Sequence, residues 1–176
     1  MIQYFTTFNA IDLKQLMAIY KGSNEKGAQR TYPEEKIYAK RLDNYEAAFL
    51  EFIRDDFLSL PNSTYAIYVE NDIYFSAARL IRSDQNIVYL EALETNPLYR
   101  KQGYAKKLIV QLKVDLIRQG VRELRSNVSY SNEESLSLHE ACGFIIDQNP
   151  GYDYHYEAFE EGSYGMLCLL PVLNHI

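Results

Sequence analysis

The stretch VYLEALETNPLYRKQGYAKKLIVQLKVDL, Val88 to Leu116, decides how this chain is read. Val88 to Thr95 is apolar and β-prone apart from Glu91 and Glu94, and Asn96-Pro97 turns the chain out of a strand. A charged loop, Leu98 to Gln102, follows. Gly103 then opens a segment in which Ala105, Leu108, Ile109, Leu112 and Leu116 recur at the spacing of one helical face. The order is strand, basic glycine loop, amphipathic helix. A helix start leaves backbone N–H groups unpaired and carries partial positive charge, and a glycine there lets backbone approach a phosphate. With Arg100, Lys101, Lys106 and Lys107 nearby, the stretch predicts an anion cradle suited to a pyrophosphate. Glycine in such a turn can also serve the turn alone. Neither Gly-x-Gly-x-x-Gly nor the Gly-Lys-Ser/Thr of a P-loop occurs.

Outward from this stretch the chain reads as a strand-helix-strand unit preceded by an antiparallel meander. Thr64 to Val69 and Ile73 to Ile81 are strands joined at Asn71-Asp72, and Arg82 to Asn86 turns into the central strand. Gly120 stops the amphipathic helix, and Arg122 to Val128 is a strand that a crossover places parallel to Val88–Thr95. Ser131 with Glu134 has capping-box spacing, so a short helix is expected from about Asn132 to Ala141. It would carry Asn132, Ser135 and His139 on a polar face and Leu138, Ala141 and Cys142 on a packing face. Gly143–Ile146 and Tyr164–Leu170 read as the last strands. Between them Asp147–Ser163 is rich in tyrosine and acid, as in Gly151 to Glu157, and reads as an acceptor loop, a surface loop or a dimer contact.

Before the meander, Ile2–Phe8 reads as a strand, and Asp12 caps a helix to about Tyr20 with Gly22 as its stop. Ser23–Thr31 reads as a loop, and Pro33 opens a longer helical region to about Leu58, broken near Leu42–Asn44. The predicted fold is mixed α/β, or α+β: a mostly antiparallel sheet of about six to seven strands with helices on both faces, in a single domain spanning 1–176.

Composition bounds the function. The 176 residues suffice to bury roughly two-thirds of the unfolded chain's surface without staples. Cys142 and Cys168 lie far apart in apolar contexts and read as buried thiols, and His139, His155 and His175 form no metal pattern. A net charge of −6 argues against nucleic acid and suits a cationic substrate. No apolar run reaches membrane-spanning length, and the amino terminus lacks the pattern of a signal peptide, so a cytoplasmic chain without a membrane partner is expected.

Arg100-Lys101-Gln102-Gly103-Tyr104-Ala105 resembles the Arg/Gln-x-x-Gly-x-Gly/Ala loop of the GNAT superfamily of N-acetyltransferases, which wraps the pyrophosphate of acetyl-coenzyme A. Thr95 to Arg100 is similar to the strand-ending segment before that loop. Asn132 to Phe144 is similar to the family's Asn-x-x-Ser-x-x-x-Tyr-x-x-x-Gly-Phe element, with His139 at the tyrosine. The resemblance covers about residues 64–170 and assigns 12–58 to the acceptor side. It implies acetyl transfer from acetyl-coenzyme A, a co-substrate needing no metal, to a primary amine of a small molecule or peptide. Backbone near Leu93 and Thr95 would polarise the thioester, while Arg100, Lys101, Gln102, Gly103, Tyr104, Ala105, Asn132 and Ser135 would hold the coenzyme.

The same resemblance makes Glu91 the expected general base, directly or through a water, with Glu94 second. Their odd separation puts them on opposite faces of an ideal strand unless a bulge intervenes. His139 would be the general acid, with Tyr130 and Tyr104 as substitutes. The missing tyrosine leaves a second implication, a non-catalytic module that binds acyl-coenzyme A. Monomer and homodimer both remain open.

Overall fold

The computed structural model describes residues 1–153 and 159–172. Its main sheet has seven strands in the order β1-β2-β3-β4-β5-β9-β6: β1 (Ile2–Phe5), β2 (Ser63–Glu70), β3 (Ile73–Asp84), β4 (Ile87–Thr95), β5 (Glu123–Ser129), β6 (Ile145–Gln148) and β9 (Ser163–Leu169). Only β4 and β5 pair in parallel, as the helical crossover between them requires. A separate ribbon joins β7 (Gly151–Tyr152) to β8 (Phe159–Glu160), inside the stretch read as one loop. Residues 154–158 of that stretch, including His155, and residues 173–176, including His175, lie outside the described residues.

Helices cover both faces of the sheet, as the alternation of its strands demands. α3 (Tyr104–Arg118) buries Leu108, Ile109, Leu112 and Leu116 against Ala78, Leu80, Leu90 and Leu124, the side to which Phe144 also contributes. On the opposite face α1 (Leu13–Thr31) lays Leu16, Ile19 and Tyr20 on Tyr65, Ile67 and Ala77. Burying such side chains stabilises the fold by about 1.5–3 kcal/mol each. α2 (Tyr38–Glu51) packs outside α1 and runs into a π-helical turn, Phe52–Phe57, whose Ile53 and Phe57 reach the core. α4 (Glu133–Ala141) follows β5.

The first helix departs from expectation. Asp12 does cap α1, accepting from the Gln15 amide at 3.1 Å, but the helix continues through Gly22 and Gly27 to Thr31. Both glycines give room to a neighbour: a Cβ on Gly22 would lie 3.1 Å from the Arg100 guanidinium, and one on Gly27 would collide with the Tyr45 ring. Pro33 therefore sits in a turn between α1 and α2 rather than opening a helix. α2 runs unbroken through Leu42–Asn44, its irregularity falling at the π turn instead. β1 is shorter than Ile2–Phe8, because Phe8–Ala10 form a 3-10 turn. The cap of α4 is Asn132, which accepts from the Ser135 amide at 3.2 Å, and not Ser131.

Candidate functional site

The site begins with an irregularity in β4. Arg79 of β3 faces Glu91 and Ala77 faces Glu94, so Ala92 and Leu93 together oppose the single residue Ala78. Ala92 takes φ +49°, and its carbonyl accepts from the Tyr20 hydroxyl of α1 at 2.8 Å. This bulge shifts the alternation by one residue. Glu91 and Glu94 consequently share the α1 face, while Leu93 packs with the α3 cluster.

β4 and β5 then part. Their pairing ends at Tyr89 opposite Arg125, although β4 continues to Thr95 and β5 to Ser129. Asn96 donates its amide to Phe75 on the β3 side, at 2.9 Å, so strand alternation turns the amides of Thr95 and Leu93 toward the gap.

At the open end lies the glycine loop. Lys101 (φ +60°) and Gly103 (φ +81°) are both left-handed, and among the described residues no side chain caps the first amides of α3. Tyr104 fixes this helix start by stacking on Phe75, ring centres 4.1 Å apart. A cleft of about 710 Å³ runs from the loop to the fork, lined by Leu93, Glu94, Thr95, Arg100, Lys101, Gly103, Tyr104, Ala105, Lys106, Asn132, Ser135 and Leu138, among others. Of the residues expected to hold a coenzyme, Gln102 is the one outside this wall, its side-chain amide pointing back to the Leu98 carbonyl at 3.5 Å. Among the expected cations, Lys107 turns away, lying over the Tyr104 ring and 3.5 Å from Glu70. Arg100 bonds the Thr95 carbonyl at 3.2 Å and Glu94 at 3.3 Å, which leaves Lys101 and Lys106 to face the cleft.

The carboxylates are half sequestered. Glu91 lies 3.1 Å from Arg79, whose guanidinium stacks over Phe52 at 4.9 Å and Phe57 at 5.4 Å. Burial raises the pKa of Glu91, Arg79 opposes the rise, and the nearby Glu160 carboxylate adds to it. Burial likewise raises that of Glu94 against the pull of Arg100. Arg79 and Glu160 were missed in the sequence, although a lone arginine inside the apolar run Tyr74–Ile81 is a visible signal.

His139 does not join the polar face expected for it. It is 1% exposed, lies edge-on to Phe144 and is absent from the cleft wall. Its Nδ1 donates to the Ser135 carbonyl at 2.8 Å, while Nε2 is buried with no partner among the described residues, and burial depresses its pKa. Asn132 lies before the helix as its cap, which is why helical spacing did not give the true face. Of the two substitutes, Tyr104 lines the cleft, whereas Tyr130 bonds Asn149 and packs on Tyr164.

A forked sheet, uncapped helix amides with two lysines, and a cleft between them define a domain able to hold an elongated ligand with an anionic end. The model of the Acetyltransferase (GNAT) family matches residues 23–144, most of the chain, and the chain belongs to that family. It is 38% identical over 58 residues to aminoglycoside N(6')-acetyltransferase type 1 of Serratia marcescens, 33% of this chain and 40% of that protein. The Salmonella typhimurium protein of the same name is 36% identical over the same shares. The match thus spans less than half the length of these curated relatives. Among solved structures, PaiA N-acetyltransferase from Thermoplasma acidophilum, in complex with coenzyme A, superposes with TM-score 0.61 at 18% identity, covering 96% of this chain and 99% of that one. The ribosomal-protein-S18-alanine N-acetyltransferase from Escherichia coli gives 0.60 at 17%, covering 99% and 97%. These two share the fold.

Proposed function

We propose that this chain transfers an acetyl group from acetyl-coenzyme A to a primary amine of a small molecule or peptide. The observation that carries the reading is the cleft: uncapped α3 amides at one end, the free edge of β4 along it, and Glu94 in its wall. The first-turn amides with Lys101 and Lys106 suit a pyrophosphate, and the space beside Gly103 is open. Asn132 and Ser135 form the facing wall. Acetyl-coenzyme A, when bound, supplies the activated acetyl thioester. The Leu93 and Thr95 amides are aimed to polarise its carbonyl. Glu91 accepts the proton of the incoming ammonium at its carboxylate, with Glu94 as the second candidate. Burial raises the proton affinity of both carboxylates, the direction that strengthens a general base. Relatives named as aminoglycoside acetyltransferases support an amine acceptor.

A second reading, a module that binds the coenzyme without turnover, is favoured by one observation: His139 is buried and bonded where the family's tyrosine acid stands. Under the first reading Tyr104, a tyrosine of the cleft wall, takes up that role. Calorimetric titration with acetyl-coenzyme A, coenzyme A and dephospho-coenzyme A, followed by thiol release with a panel of amines, separates the two. Micromolar binding with turnover supports the enzyme, and binding without turnover on any amine supports the module. Absence of binding refutes both.

A further inference from the structure

Asn127 is the β5 counterpart of Glu91 across the fork. Tyr89 and Arg125 form the last paired position, and Glu91 and Asn127 are each two residues further along their strands. Leu124 and Val128 pack toward α3, so Asn127 lies on the other face, the one that carries Glu91. Its side-chain amide donates to the Tyr152 carbonyl at 2.6 Å and to Glu160 at 2.7 Å. One donor group therefore fastens both strands of the β7–β8 ribbon. The ribbon is seated closely at this point: a Cβ on Gly151 would collide with Asn127, and the Tyr89 hydroxyl donates to Tyr152 at 3.2 Å.

Resting on the acetyl-transfer reading above, we propose that Asn127 is a positioning residue that holds the β7–β8 ribbon and Glu160 beside Glu91, making the ribbon the acceptor-side wall of the fork. Glu91 is faced by Arg79 from β3, Tyr65 from β2 and Glu160 from β8, and among these Glu160 is held by Asn127. A second carboxylate at that wall selects acceptors carrying more than one ammonium group, since each charge then has a partner. Glu160 also opposes ionisation of Glu91, so releasing it lets Glu91 lose its proton at lower pH.

The test compares wild type, Asn127→Ala and Glu160→Gln in acetylation of propylamine, spermidine and kanamycin, with acetyl-coenzyme A affinity measured by calorimetry. Both variants should raise KM for spermidine or kanamycin by about tenfold, the scale of one charge-assisted contact, with little change for propylamine. Acetyl-coenzyme A affinity should stay within about twofold. The acid limb of kcat/KM should move to lower pH in both, a change that loss of folded protein alone does not produce. Glu160→Gln keeps the ribbon attached through Tyr152 and so reports even if Asn127→Ala folds poorly. Turnover with unchanged amine KM and an unmoved acid limb in Glu160→Gln overturns this proposal alone. A wild-type chain that acetylates no amine overturns the acetyl-transfer reading and this proposal with it.

Discussion

Gly27 of α1 lies directly under the ring of Tyr45 of α2, so close that a Cβ there would enter the ring's van der Waals shell. The contact joins α1 to α2, and it exists because position 27 lacks a side chain. Gly27→Ala should destabilise by about 1–3 kcal/mol through overpacking, even though alanine gains about 1 kcal/mol in helix propensity. In a Tyr45→Ala background the same substitution should be neutral or stabilising. Urea unfolding of the four combinations checks this, and additive effects would refute the contact.

Gly103 offers a different test, because its surroundings are open and its constraint is φ +81°. Gly103→Ala should cost about 1 kcal/mol from backbone strain alone and weaken acetyl-coenzyme A only slightly. Gly103→Asp adds a negative charge at the helix start and should weaken it by at least about tenfold. Equal affinities for the two variants, measured by calorimetry, would remove the anion cradle from this loop.

Glu91→Gln should reduce kcat by about 10²–10⁴-fold with acetyl-coenzyme A affinity unchanged, whereas Glu94→Gln should have the smaller effect on kcat. Steady-state kinetics with one amine decides between them. Retained kcat in Glu91→Gln would transfer the base role to Glu94 or to neither.

Arg100→Ala removes the cation that eases ionisation of Glu94. Glu94 should then hold its proton to higher pH. If Glu94 contributes to turnover, the acid limb of kcat/KM moves upward. The exposed ion pair itself should matter by less than about 1 kcal/mol in stability. A pH profile together with a thermal melt gives both quantities.

His139 supplies a stability signature. Burial holds its folded pKa below the unfolded value, so its neutral form costs nothing at pH well above the unfolded value of about 6.5. As pH falls through that value the unfolded chain gains a proton that the folded chain refuses, and stability drops. His139→Leu should therefore lose less stability than wild type between pH 7.5 and pH 5, set by the about 6.5 midpoint. Parallel losses in the two proteins would show that His139 does not titrate with unfolding.

The glycine loop and the helix after it were legible in the sequence because their determinants are local: a glycine, flanking cations and a helical apolar period lie within thirteen consecutive residues of Arg100–Leu112. The meander was legible for the same reason, its Asn71-Asp72 turn taking the positive φ values that such a pair tolerates. What escaped depended on contacts distant in sequence. Gly22 reads as a stop, and Ser23–Thr31 as a loop, unless Arg100 is known to lie against Gly22 and Tyr45 against Gly27. His139 reads as polar and outward until Phe144 folds back under α4. Arg79 and Glu160 acquire meaning only once the sheet sets them beside Glu91.

The single extra residue at Ala92 acts as a parity switch. Upstream of it odd-numbered side chains such as Tyr89 and Glu91 look toward α1, and downstream the even-numbered Glu94 does. Deleting Ala92 would keep every functional side chain in the chain and restore an ideal strand. It would also shorten by one residue the distance along β4 from Glu91 to the glycine loop, moving the prospective base and the anion cradle out of step. The spacing between Glu91 and the glycine loop is thus written in the backbone count of one strand, where no side-chain substitution can restore it.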